Sequence, residues 1–271
     1  MNKETGYLEK EKQHALTAAR EAGAIIRAVY STNYTVDYKD SRGNSPVTIA
    51  DRDANHKIHE LLQGGFPDYG WLSEETVDSP ARLSRRRVWV VDPMDGTKEF
   101  IQKIPEFAVS IALVEDGVPI LGVAYNPPLD QMYWAVRGQG AWCGEQPLRV
   151  SPLARLTEAT ILSSRSETKR GEWNTFKNAF KTRPTGSIAY KLSLIGSGEA
   201  DATFTLVPKN EWDICAGVLL VEEAGGKVSN LDGTPVVFNQ PKTLLPGLIA
   251  SNTVLHEQIL ELIGKRPSGR S

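Results

Sequence analysis

Within residues 8–30 the apolar positions Leu8, Ala15, Ala19, Ala22, Ile26 and Val29 recur at three- and four-residue steps. That period is one face of a helix and predicts an amphipathic helix over this span. The polar stretch STNYTVDYKDSRGNSP follows and carries Gly43 and Pro46, so it predicts loop or weak strand. A second helix is predicted from about Ala50 to Leu62, with Ala54, Ile58 and Leu61 on one face and QGGFPDYG as its break. From residue 88 the runs VWVVD, FAVSIALVEDG, VPILGVAYN and QMYWAVRG read as strands separated by turns, and Asp116-Gly117 is a hairpin signal. They predict an antiparallel meander. Beyond residue 150, ATILSSR, ADATFTLV and GLIASN read as strands. GEWNTFKNAF, SIAYKLSLIGSG and EWDICAGVLLVEEAGG read as helices, the last closed by two glycines as helix C-termini favour. KVSNLDGTPVVF reads as a hairpin, and the chain closes on a final helix and the polar tail GKRPSGRS, expected to fray.

This alternation predicts an α/β (α+β) protein in layers. Two mixed lobes are expected, residues 1–155 and 156–271, meeting near residues 150–160. Length and composition agree: 271 residues, 40% hydrophobic and 24% charged, are ample for a large core. The formal net charge of −2 offers no field to draw in a nucleic-acid polymer or an acidic membrane. No run approaches a membrane span, and the N-terminal residues lack the apolar segment of a secretory signal. Cys143 and Cys215 are the only cysteines and form no CxxC pair. A reducing, cytoplasmic setting without stable membrane insertion is therefore expected.

The stretch VWVVDPMDGTKEF changes the picture. An apolar run delivers Asp92 to its end, and Asp95 follows three residues later. Carboxylates converging at the end of a buried strand repel and resist ionisation. A hard divalent ion resolves that repulsion, since Mg²⁺ takes oxygen ligands, here Asp92, Asp95 and the Met94 carbonyl. Gly96 and Thr97 then offer backbone N–H groups at a helix start, a natural phosphate cradle. The plainer reading is turn chemistry, with Asp95 capping a short helix. Three further acids fit either way. Glu74 follows an apolar stretch in WLSEE, while Asp51 and Asp213 fall at helix starts, where a carboxylate caps or favours the dipole.

Taken together and in order, SPVTIADRDA, SEE, DPMDGTKEF and WDICAGVLLVEEAGG resemble the inositol monophosphatase superfamily of Mg²⁺-dependent, lithium-sensitive phosphatases. The resemblance runs from about Ala15 to the last helix and implies the layered αβαβα sandwich of the sugar phosphatases. By that resemblance Glu74, Asp92, Met94 (through its carbonyl), Asp95 and Asp213 match metal ligands for two to three Mg²⁺ ions. Asp51 and Thr97 match the pair that activates the attacking water. Gly96 and Thr97 match the phosphate-contacting turn, and Glu74, Met94, Asp95 and Asp213 also lie against the substrate. In the C-terminal lobe Arg165, Ser187 and Lys191 fall where the family recognises the rest of the substrate; their plainer roles are surface charge and helix capping.

Within the superfamily, DPMDGTKEFI, with Glu99 where inositol monophosphatases usually carry asparagine, most resembles the 3'(2'),5'-bisphosphate nucleotidases. The implied reaction converts adenosine 3',5'-bisphosphate to AMP and phosphate by metal-activated water. The rival substrates are inositol 1-phosphate and fructose 1,6-bisphosphate. A non-catalytic metal or nucleotide sensor is the reading from another class, and the full set Asp51, Glu74, Asp92, Asp95, Thr97 and Asp213 argues against it. The expected partner is a small phosphorylated substrate, and the superfamily includes monomers and homodimers. Other candidates read as ordinary. His56 and His59 lack a third metal ligand, Cys215 falls on a helix face, and the run SRRR at 84–87 is a solvated edge.

Overall fold

The structure, a computed structural model, describes residues 6–40 and 45–264. Gly43 and the tail from Lys265 onward lie outside the described residues. The helices are α1 (Glu9–Tyr30), α2 (Ile49–Gly65), α3 (Thr97–Ile101), α4 (Arg165–Lys169), α5 (Ile188–Gly196), α6 (Glu211–Glu223) and α7 (Thr253–Gly264). A two-stranded hairpin, β1 (Val36–Tyr38) with β2 (Pro46–Thr48), occupies the polar stretch between α1 and α2.

A seven-stranded sheet follows in sequential order: β3 (Gly70–Ser73), β4 (Arg87–Asp95), β5 (Ala108–Glu115), β6 (Val118–Asn126), β7 (Gln131–Val136), β8 (Ala141–Cys143) and β9 (Gln146–Pro147). Only β3 runs parallel to its neighbour β4; the rest is the expected meander. The β5–β6 turn places Asp116 and Gly117 both at positive φ, as a tight hairpin of matching twist requires. A second, five-stranded sheet has the order β11 (Lys181–Thr185), β10 (Thr160–Ser164), β12 (Ala202–Thr205), β16 (Leu248–Asn252), β14 (Gly226–Ser229). The short β13 (Lys209–Asn210) pairs with β15 (Leu244–Leu245) ahead of α6.

Burial sorts these elements into five layers, αβαβα. Trp89 and Val91 of β4 face Ala15, Ala22, Ile58 and Leu62 of α1 and α2. Their neighbours Val88 and Val90 face the other way, toward Leu192 of α5 and Val218 of α6. A strand buried on both faces is why residues 88–91 are uninterruptedly apolar. Leu248 and Ala250 of β16 close the far side of the α5–α6 layer, and Phe204, Ile249, Leu255 and Ile259 pack the outermost one. Each large side chain fully buried this way contributes roughly 1.5–3 kcal/mol.

Three expectations are corrected. Helix α2 runs on to Gly65, and Leu62 rather than Leu61 is its fully buried leucine. The segment 171–180 forms only a short 3-10 turn, Glu172–Phe176, instead of a helix. Its Trp173, Phe176 and Phe180 all pack on Phe204, and one tight turn is enough to seat them. The segment 227–238 does turn at Asp232-Gly233, where Asn230 N donates to Thr234 O at 2.9 Å. Its arms do not pair, however. Val228 pairs with Ala250 of β16, while the second arm leaves and buries Phe238, whose N–H donates to Gly117 O at 3.0 Å. A long-range partner outcompetes the local one.

Candidate active site

Strand β4 carries its apolar run to Asp92, and its pairing with β5 slips between Asp92 and Asp95. That irregularity turns both carboxylates out of the sheet, with Met94 N donating to Asp92 Oδ1 at 2.9 Å. Gly96 then takes φ 103°, and a Cβ there would lie 2.9 Å from Phe107 Cβ and 3.0 Å from Glu106 O, so only glycine fits. It launches α3 as its N-cap.

Four elements bring acids to this turn. Glu74 follows β3, and Asp213 is in the first turn of α6, where Asn210 N donates to its Oδ2 at 3.0 Å. Carboxylate oxygens of Glu74, Asp92 and Asp213 lie within 4.8 Å of one another. Asp95 stands outside this trio. Its Oδ2 accepts from Ser187 Oγ at 2.6 Å and from Ala189 N at 2.7 Å, tying the turn to the start of α5. Ser187 holds φ 50°, a costly backbone for a non-glycine residue and one that clusters at functional sites. Asp51 is in the first turn of α2. Thr48 N and Thr48 Oγ1 both donate to its Oδ2 at 2.7 Å, a capping box, while Thr97 Oγ1 donates to its Oδ1 at 2.9 Å. The capping reading and the functional reading of Asp51 thus coexist in one side chain.

The electrostatics are unbalanced. Burial, then the charges of Glu74, Asp95 and Asp213, push Asp92 well above the usual carboxylate range. Burial, then Asp95 and Glu74, do the same to Asp213. Burial also raises Asp95 and Asp51, against the hydrogen bonds from Ser187 and Thr48. The ion pair at the cluster is Lys39 of the β1–β2 hairpin, whose Nζ is 2.9 Å from Glu74 Oε1 and also bonds Glu75. Oxygen-only donors, buried or half-buried and only partly offset by Lys39, Lys191 and Lys209, fit a hard divalent cation such as Mg²⁺.

Glu74, Asp92, Asp95 and Asp213 line one cavity of about 270 Å³ together with Ser187, Lys191 and Lys209, and Asp51 reaches it only through Thr97. Lys191 is 2% exposed, yet its ammonium has no hydrogen-bond or ion-pair partner among the described residues. Burial, reinforced by Lys209, pushes its pKa down to about 8. Arg165 is committed elsewhere: its Nε and Nη2 each donate to Glu106 at 2.7 Å, and it is not part of the cavity wall. His56 and His59 stay on the surface, with His59 edge-on to Trp71 at 4.8 Å. Cys215 is buried. Sequence reading missed Lys39, Lys209 and Glu99 as cavity or cluster residues; only Glu99 had a signal, its departure from asparagine.

The inositol monophosphatase family model matches residues 8–268. An inositol-1-monophosphatase of Caulobacter vibrioides is 34% identical over 264 residues, 94% of this chain and 98% of that one. The 3'(2'),5'-bisphosphate nucleotidase CysQ of Escherichia coli K12 is 37% identical over 240 residues, 86% and 96% of the two chains. The inositol monophosphatase structure from Anabaena superposes with a TM-score of 0.80 at 27% identity, covering 96% of this chain and 97% of that one. Among the described residues no helix is long and apolar enough to cross a membrane. The chain belongs to the inositol monophosphatase family and is a Mg²⁺-dependent phosphatase acting on small phosphorylated molecules.

Proposed function

We propose that the chain is a 3'(2'),5'-bisphosphate nucleotidase, releasing one phosphate from adenosine 3',5'-bisphosphate to leave AMP. The observation that carries this reading is the unpartnered ammonium of Lys191, with Lys209 beside it, in the wall of the cavity that the acidic cluster also lines. A buried cation without a partner is costly unless an anion arrives to pair with it. A substrate with a second phosphate brings that anion. The relative named as a nucleotidase supports the same reading. The inositol-1-monophosphatase relative, at 34% identity, favours inositol 1-phosphate as the second reading.

In this reading Glu74, Asp92, Asp95, Asp213 and the Met94 carbonyl would hold two to three Mg²⁺ ions. Bound Mg²⁺ supplies Lewis acidity and makes water a nucleophile at neutral pH. Thr97 Oγ1 accepts a hydrogen bond from the attacking water while donating to Asp51 Oδ1, and the proton passes along that line to Asp51. Gly96 and Thr97 cradle the reacting phosphate, and Ser187 keeps Asp95 in place through its hydroxyl. Phosphate release from adenosine 3',5'-bisphosphate, inositol 1-phosphate and fructose 1,6-bisphosphate, with Mg²⁺ and then with added Li⁺, tests the proposal. A kcat/KM highest on the first substrate supports it, and a preference for either of the others overturns it. No Mg²⁺-dependent turnover on a broad phosphomonoester panel would restore the sensor reading.

A further inference from the structure

Glu99 is a second buried ionisable group in the cavity wall, and among the described residues its carboxyl accepts only from its own backbone N–H. It is 8% exposed and lines the cavity. No other side chain and no other residue's backbone bonds its carboxyl among the described residues. The nearby cation Arg165 turns its Nε and Nη2 to Glu106 at 2.7 Å and forms no ion pair with Glu99. Lys191 forms no ion pair with it either. The carboxyl is nonetheless held in place: a Cβ built at Gly186 would lie 2.3 Å from Glu99 Cγ and 2.8 Å from Oε1. The side chain therefore lies flat across a residue that has no side chain of its own, where the N-terminal end of α5 meets α3. Burial, together with Asp95 and Glu106, raises its pKa to about 6, against Arg165.

A carboxyl so placed turns its remaining acceptor capacity to the cavity, where a bound ligand can donate to it. The reacting phosphate is an acceptor and cannot serve. A hydroxyl on the leaving group can supply that donor. Glu99 lines the same cavity as Gly96 and Thr97, so a leaving group attached to a phosphate held there can reach it.

We propose that Glu99, seated on Gly186, is a specificity-determining residue that accepts a hydrogen bond from a leaving-group hydroxyl adjacent to the scissile ester. The proposal rests on the phosphate lying at Gly96 and Thr97 but not on which substrate is the true one. Ribose 3'-phosphates and inositol phosphates both carry such a hydroxyl.

The test uses two matched pairs: adenosine 3',5'-bisphosphate with its 2'-deoxy analogue, and inositol 1-phosphate with an analogue lacking a hydroxyl next to the ester. Each is assayed as substrate and as competitor of a chromogenic aryl phosphate, so the Glu99 result does not depend on which pair is turned over. Which pair is turned over answers the separate question of substrate identity. Wild type should favour the hydroxylated member of a pair, and Glu99→Ala should shrink that preference about tenfold or more, with Glu99→Gln retaining part of it. Gly186→Ala, which displaces the carboxyl, should reproduce the Glu99→Ala ratio. The thermal midpoint of Glu99→Ala should hold or rise, because a buried carboxyl bonded only to its own N–H is removed. Equal losses on both members of each pair, with a lowered midpoint, would reduce Glu99 to packing and overturn the proposal. No wild-type preference for either hydroxylated member would overturn it as well.

Discussion

Thr97 Oγ1 donates to Asp51 Oδ1 across 2.9 Å, joining the first turn of α3 to the first turn of α2. Neither position is free to drift. Asp51 is fixed from its other oxygen by Thr48, and Thr97 follows a glycine that no other residue can replace. A hydroxyl whose one proton is committed to a carboxylate presents its lone pairs to a third group. That is the geometry a relay from water needs.

If the two residues act as one relay, their losses will not add. Asp51→Asn and Thr97→Val should each lower kcat by roughly 10²–10⁴ fold, and the double variant should fall little below the worse single one. Single-turnover rates at saturating Mg²⁺ measure this directly. Fully additive losses would show that the residues work separately.

Asp92 carries the heaviest concentration of like charge, with Glu74, Asp95 and Asp213 all raising its pKa after burial. Asp92→Asn removes one member of that group while keeping its shape. In EDTA the variant should unfold at the same or a higher temperature than wild type. With Mg²⁺ at about a hundred times its dissociation constant, wild type should gain about 2.7 kcal/mol. The variant should gain far less and turn over almost nothing. A variant with normal turnover and a normal Mg²⁺ response would remove Asp92 from the proposed metal site.

Glu211, the first residue of α6, is fully buried and pushed up to about 7 by burial, against N–H donors from Gln240 and Asn239. Its folded pKa is raised, so its contribution to stability is complete below the unfolded value near 4.5 and is lost as pH rises through 7. A shift of this size corresponds to stability on the order of 3 kcal/mol. Other carboxylates slope the opposite way, Glu106 among them, held low by Arg165 despite its burial. The informative quantity is therefore the difference between wild type and Glu211→Gln. Urea unfolding in EDTA should show wild type losing more stability than the variant between pH 5 and pH 8, on the order of the same 3 kcal/mol. Equal pH slopes would mean Glu211 does not titrate there.

What was legible in the sequence is local or doubly constrained. Residues 88–91 read as a buried strand because both faces of β4 are covered, and Asp92 and Asp95 stood out because two carboxylates follow that apolar run directly. Asp51 read as a cap, which it is; its bond to Thr97 spans 46 residues and leaves no local mark. Lys39 belongs to a polar stretch without period, so its pairing with Glu74 had no signal. The failed hairpin at 227–238 has the same cause: its turn formed as the residues demanded, but Val228 found Ala250 and Phe238 found Gly117. The role of Arg165 was left open in the sequence because its bidentate bond to Glu106 crosses from the C-terminal half to the loop before β5.

Lys191 offers the sharpest test of the substrate. Its ammonium is buried against the cavity, lacks a partner, and is held near pKa 8 by burial and by Lys209, with Glu167, Asp95 and Glu99 opposing. If it pairs with the second phosphate, Lys191→Ala should weaken kcat/KM on adenosine 3',5'-bisphosphate by roughly 1.5–3 kcal/mol, the range for a hydrogen bond to a charged group. A monophosphate lacking that group should lose much less, and the difference between the losses cancels general damage to the site. Protonation gives a second readout. The ammonium is present in the free enzyme below about pH 8 and disappears above it, so kcat/KM on the bisphosphate should fall through that region. The same limb should be absent from the Ala variant and weak on the monophosphate. Thermal stability should not fall, because an unpaired buried cation contributes cost and no bond. Equal losses on both substrates, with the basic limb unchanged, would separate Lys191 from the second phosphate and make inositol 1-phosphate the better-supported substrate.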